Sequence, residues 1–85
     1  MAMTAPEWLT RHGGALQSGP DGTAWLVLFG GEPLYLLIPT PAGGKFGCRV
    51  EQTNNGQRLD GPGTYPTAEA AVQGGLEDLR KALGW

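Results

Sequence analysis

The sequence predicts an α+β fold, with a three- or four-stranded antiparallel sheet packed against one C-terminal amphipathic helix and a short N-terminal helix. Three observations carry this expectation. Two apolar runs, residues 23–29 and 34–38, flank Gly30-Gly31-Glu32-Pro33, the pattern of a β-hairpin. A third run, residues 45–52, alternates apolar and charged side chains, as a strand with one solvated face does. Beyond residue 67, Ala68, Ala71, Val72, Gly75, Leu76, Leu79 and Leu83 recur at helical spacing.

In chain order, Thr4-Ala5-Pro6-Glu7 has the form of a helix start, a hydroxyl cap followed by a first-turn proline and a glutamate. Gly13-Gly14 stops that helix after little more than two turns. Residues 15–17 read as a short extended segment, and Ser18-Gly19-Pro20-Asp21-Gly22 as a turn. In the hairpin that follows, a two-residue or a four-residue turn gives the same parity. Trp25, Val27, Phe29, Leu34, Leu36 and Ile38 fall on one face, and Leu26, Leu28, Tyr35 and Leu37 on the other. Both faces are therefore apolar.

Residues 39–44, with Pro39, Pro41 and Gly43-Gly44, read as a loop. The next strand points Phe46, Cys48 and Val50 one way and Lys45, Arg49 and Glu51 the other. Asn54-Asn55-Gly56 then supplies a second tight hairpin returning through residues 57–60. With Asn55-Gly56 as the turn, Leu59 stands opposite Gln52, and Arg58 and Asp60 join the charged face. Thr67 caps the last helix, Glu69 sits in its first turn, and Arg80 and Lys81 sit near its end, each where the helix dipole favours that charge. Gly74-Gly75 costs about 1 kcal/mol per glycine relative to alanine. Close approach of the helix to the sheet or to another helix is the expected return. Trp85 is expected to fold back onto the body.

The 85 residues suffice for one small domain, residues 1–85. Chains this short bury a thin core, and the single cysteine rules out an internal disulfide, so association with a second copy is the expected source of further burial. A net charge of −2 supplies no broad positive field, which disfavours nucleic acid as a partner. The N-terminus lacks the basic start and apolar stretch of a signal peptide, and residues 24–38 are interrupted and too short to span a bilayer. A cytoplasmic protein with no membrane partner is expected.

No motif supports a catalytic, cofactor or metal site. Cys48, between Phe46 and Val50 on an apolar strand face, is expected to be a buried thiol. His12 falls at a helix C-terminus, where it interacts with the last carbonyls. Glu51 and Asp60 stand beside Arg49 and Arg58 as a surface charge cluster, and Glu77, Asp78, Arg80 and Lys81 as a solvated helix side. Neither glycine pair has the spacing or the following helix of a phosphate loop.

The order helix, three strands, helix resembles that of the double-stranded RNA-binding domain. That resemblance implies lysines at the start of the second helix, gripping phosphates. Thr67-Ala68-Glu69-Ala70-Ala71 has none and carries a glutamate, so the likeness ends at topology. The Thr-x-Glu-Ala start also resembles that of small antitoxin domains of the HicB type. Only a generic helix start is shared, and no family is assigned.

One helix covers one face of a hairpin that is apolar on both, which leaves uncovered either the face of Leu26, Leu28, Tyr35 and Leu37 or, with the helix on the opposite side, that of Trp25 and its neighbours. The expected function is a small, non-enzymatic protein-binding or regulatory module, homodimeric, with Leu26, Leu28, Tyr35 and Leu37 as the partner interface. A small-molecule-binding domain, with a pocket between the sheet and the 39–44 loop, is the alternative. Nucleic-acid binding through Lys45, Arg49 and Arg58 ranks below it.

Overall fold

Two glycine pairs set the frame of the sheet. Gly30-Gly31 and Gly43-Gly44 hold positive φ at all four positions, 61°, 84°, 60° and 86°, as two-residue hairpin turns matched to the strand twist require. The computed structural model describes residues 5–19 and 24–85. It shows β1 (Gly14–Ser18), β2 (Trp25–Phe29), β3 (Glu32–Ala42) and β4 (Lys45–Gln52) between α1 (Glu7–Arg11) and α2 (Ala68–Leu83). The four strands lie in sequence order, all antiparallel. This is the α+β architecture expected, with four strands, and β1 removes the three-strand likeness to the RNA-binding domain. The expected cap at Thr4 is corrected, since the N-cap of α1 is Pro6, without a side-chain cap bond, and the helix is five residues long rather than more than two turns. Thr4 itself and the last three residues of the expected turn, 20–22, lie outside the described residues.

The face assignment of the first hairpin needs correction. Phe29 pairs with Glu32 and Leu28 with Pro33, but Val27 pairs with Tyr35, Leu26 with Leu36 and Trp25 with Leu37. Leu34 is thus an extra residue in β3, a β-bulge, and a one-residue insertion reverses the parity of everything beyond it. Tyr35 and Leu37 therefore join Trp25 and Val27 on one face, and Leu36 and Ile38 join Leu26 and Leu28 on the other. Tyr35 is 8% exposed and Leu37 fully buried.

The expected loop at 39–44 is also corrected, since residues 39–42 continue β3 opposite β4. The Leu34 carbonyl accepts from Thr53 N, so from the bulge onward even-numbered residues of β3 aim their backbone groups at β4 and odd-numbered ones at β2. The β2 register ends at Leu37. The missing N–H of Pro39 and of Pro41 falls on the β2 side, beyond the last β2 pair among the described residues.

The core face carries Leu9, Trp25, Val27, Tyr35, Leu37, Cys48 and Val50 against Ala71, Val72, Leu76 and Leu79 of α2. The Thr67 hydroxyl caps α2 by accepting from Ala70 N at 3.0 Å. Gly84, at φ 75°, closes its end, with Trp85 N donating to Arg80 O at 3.0 Å. Both glycines inside α2 are contact points. A Cβ on Gly75 would overlap Cys48 Sγ, and one on Gly74 the Tyr65 ring. The close approach expected from the sequence is to the sheet, at Gly75.

Residues 57–65 follow the free edge of β4 as a broken strand. Arg58 bridges Glu51 and Tyr65 bridges Phe46, and Leu59 N donates to Val50 O at 2.8 Å. Leu59 therefore stands opposite Val50, not Gln52, because four residues, 53–56, make the turn. Gly61 N donates to Asp78 Oδ2 at 2.9 Å, which fastens the segment to α2.

Candidate functional site

The face of the sheet opposite α2 is the candidate site, and its side chains follow from strand alternation. One row crosses the sheet as Gln17, Leu26, Leu36, Glu51 and Arg58, and a second brings Ala15 beside Leu28. Ile38 stands beside Arg49. Leu26, Leu28, Leu36 and Ile38 form an apolar stripe along β2 and β3. None of the four belongs to the core cluster or packs against it, and each stays partly exposed. Both helices lie on the other side, since Leu9 of α1 and five residues of α2 are buried with the core-face side chains. Of the four residues expected at the interface, Leu26 and Leu28 are on this face, and the bulge places Tyr35 and Leu37 in the core.

Ion pairs border the stripe. Arg49 Nε donates to Glu51 Oε1 at 2.6 Å, and Arg58 donates to Asp60 through Nε at 2.6 Å and Nη2 at 2.9 Å. The Arg58 bond, helped by donation from Val50 N, holds the Asp60 carboxyl below its ordinary range. The border carries two positive and two negative charges, so it is neutral as well as charged. An apolar centre with a polar rim is the usual anatomy of a protein interface.

No known protein family, curated protein or solved structure matches the chain.

The residues with chemical potential stand apart from one another. Cys48 is a free thiol beneath Gly75, 7% exposed. Burial, with the negative charges of Asp78 and Asp60, pushes its pKa up to about 12, which holds it as the unreactive thiol. His12 caps α1, with Nδ1 donating to the Trp8 carbonyl at 2.6 Å. Its ring stacks on Trp85, with centroids 3.9 Å apart, and Trp85 also meets Trp8 and Phe29. Trp85 does fold back, and its partners make it a lid over one end of the core. Among the described residues no group of three or more His, Cys, Asp or Glu is placed to hold a metal ion. Among the same residues no helix is long and apolar enough to cross a membrane.

A cleft of about 370 Å³ lies between the start of α1 and α2, lined by Pro6, Trp8, Gln73, Leu76 and Glu77. The pocket expected beside residues 39–44 has no loop to form it. Three side chains have roles that the sequence did not suggest. Leu36 and Ile38 belong to the half-buried outer stripe, a placement that only the bulge reveals. Asp78, expected on a solvated helix side, is a tether for Gly61, and its only signal in the sequence is a carboxylate one position from the apolar stripe.

Proposed function

We propose that this chain is a small, non-enzymatic protein-binding module that engages its partner through the outer sheet face. The supporting observation is the stripe of Leu26, Leu28, Leu36 and Ile38 on a face that neither helix covers, while the core is already complete on the other face. A partner surface that buries these four side chains removes apolar area from water at about 25 cal/mol per Å². The bordering Arg49–Glu51 and Arg58–Asp60 pairs stay at the rim, where they tune specificity more than affinity. The partner chemistry that fits is an apolar surface edged by charges of both signs. A cytoplasmic location accords with the unpaired Cys48 thiol.

The test is capture of partners by the wild-type chain, followed by titration of the purified captured protein against wild type and the double variant Leu26→Lys/Leu36→Lys. The expected result is a variant that folds and binds at least roughly tenfold more weakly, since central apolar contacts dominate interface energies. Equal affinity in a folded variant overturns the proposal. The second reading, a small-molecule binder, is favoured by the cleft between α1 and α2, whose volume is at the lower end of ligand pockets. Ligand-induced shifts confined to Trp8 and Leu76 resonances support that reading, and their absence across a fragment set dismisses it.

A further inference from the structure

We infer that β1 is a self-association strand, through which two copies pair antiparallel about a two-fold axis at Leu16 and join their outer faces into one surface. This pairing lies at the sheet edge and extends the proposed binding face without requiring any particular partner.

Backbone alternation supplies the first support. Gly19 N donates to Ala24 O at 2.7 Å, so Gly19, Gln17 and Ala15 turn their backbone groups toward β2. Gly14, Leu16 and Ser18 then present theirs to the open side. Among the described residues the sheet ends at β1, and α1 sits on the core face, with Leu9 buried against Gly14. Edge strands are ordinarily blunted by charge, proline or a covering segment. Gly14–Ser18 reads GALQS and has neither charge nor proline.

The opposite edge supplies the second support, because it is closed. Gln57 O, Leu59 N, the Asp60 carboxylate and both backbone groups of Tyr65 occupy the outward side of β4. Head-to-tail stacking of β1 on β4, which would propagate into a filament, has no receiving edge. Pairing of β1 with itself remains, and it closes as a dimer. With Leu16 opposite Leu16 of the second copy, Gly14 stands opposite Ser18 in both directions. Each of the three outward-facing residues then exchanges two hydrogen bonds, with Ala15 beside Gln17 on the outer face and no like charges opposed. Five residues make an edge only about 17 Å long. The contact is well below the roughly 800 Å² per partner of a stable interface, so the dimer is expected to be reversible and to form at high concentration.

The experiment is sedimentation equilibrium from about 10 μM to 1 mM, the range in which weak complexes populate, paired with amide hydrogen exchange on the same samples. The expected mass rises from 8.9 kDa toward twice that value, with exchange at Gly14, Leu16 and Ser18 slowing severalfold in step. Ser18→Pro removes an outward N–H without touching the β2 ladder and is expected to stay monomeric. Leu26→Lys/Leu36→Lys, altered only on the outer face, is expected to dimerise as wild type does. Should Ser18→Pro not fold, Ala15→Lys/Gln17→Lys, at two exposed positions, sets like charges across the axis and is likewise expected to be monomeric. A monomer at every concentration overturns the inference, as does a dimer in which those three amides exchange unchanged. A dimer abolished by the outer-face variant and kept by Ser18→Pro overturns it while leaving the binding face standing.

Discussion

Gly75→Ala pits two effects of known size against each other. In a helix interior alanine is favoured over glycine by about 1 kcal/mol, so a helix resting loosely on the sheet gains stability from the change. In this fold the new Cβ overlaps Cys48 Sγ and comes within 3.1 Å of both Cys48 Cβ and Leu37 Cδ2. Leu37 is fully buried in a central strand and Cys48 nearly so, and neither has room to retreat. Overpacking of a filled core costs about 1–3 kcal/mol, and an overlap with two immobile side chains belongs in the upper part of that range. The net expectation is a loss of about 1–2 kcal/mol, or a fall in Tm of roughly 5–15 °C for a chain of this length. Urea unfolding followed by circular dichroism measures it. Cys48→Ala removes the sulfur, and on that background Gly75→Ala is expected to be close to neutral, a coupling of at least about 1 kcal/mol. A Gly75→Ala variant more stable than wild type refutes the seating of α2 on β3 and β4.

Cys48 links the same contact to pH. The folded state keeps the thiol proton up to about pH 12, whereas the unfolded chain releases it near the ordinary value of 9.0. Its stabilisation is complete below pH 9 and is lost above it at up to about 1.4 kcal/mol per pH unit, so the stability difference between wild type and Cys48→Ala should shrink in that range and stay flat below it. Asp60 has the opposite sign. Its lowered pKa stabilises the fold above the ordinary carboxylate range and ceases to as pH falls through the folded value. Asp60→Asn should therefore flatten acid unfolding, by about 1 kcal/mol at most since Arg58 is half exposed. Trp85→Ala should cost about 1 kcal/mol from lost aromatic contacts, and proton NMR should show the ring-current shift of His12 disappear. An unchanged His12 spectrum contradicts the stacked geometry.

Much of this fold was legible in the sequence. The cap at Thr67, the 3.6-residue periodicity and the basic residues Arg80 and Lys81 near the end each point to one element, and α2 runs as they indicate. The glycine pair at 30–31 marks its turn because only glycine takes positive φ freely at two successive positions, whereas the pair at 43–44, read as part of a longer loop, is a tight turn of the same kind. The bulge was not legible. Leu34 is one leucine in an apolar run, and hydrophobicity that is equal on both faces gives the pairing register nothing to choose between. That single residue moved Tyr35 and Leu37 out of the expected interface and Leu36 and Ile38 into the half-buried outer stripe. Pro39 and Pro41 misled for a related reason, because their tolerance in β3 depends on which side of the strand their missing N–H faces, which no local pattern reveals. The short run at 15–17 was visible as extended chain, but its standing as an open sheet edge follows only from the strand order.

Leu36 and Leu37 are chain neighbours on opposite faces, and a matched pair of lysine substitutions tests the outer-face assignment most directly. Chemical unfolding and partner titration are measured on Leu36→Lys and Leu37→Lys together. Leu36→Lys should keep the fold, with a stability loss of about 1 kcal/mol or less, and lose partner affinity. Leu37→Lys, which buries an unpaired charge beneath α2, should fail to fold. A folded, stable Leu37→Lys beside an unfolded Leu36→Lys contradicts the face assignment, and a folded Leu36→Lys that binds its partner as wild type does contradicts the binding role of that face.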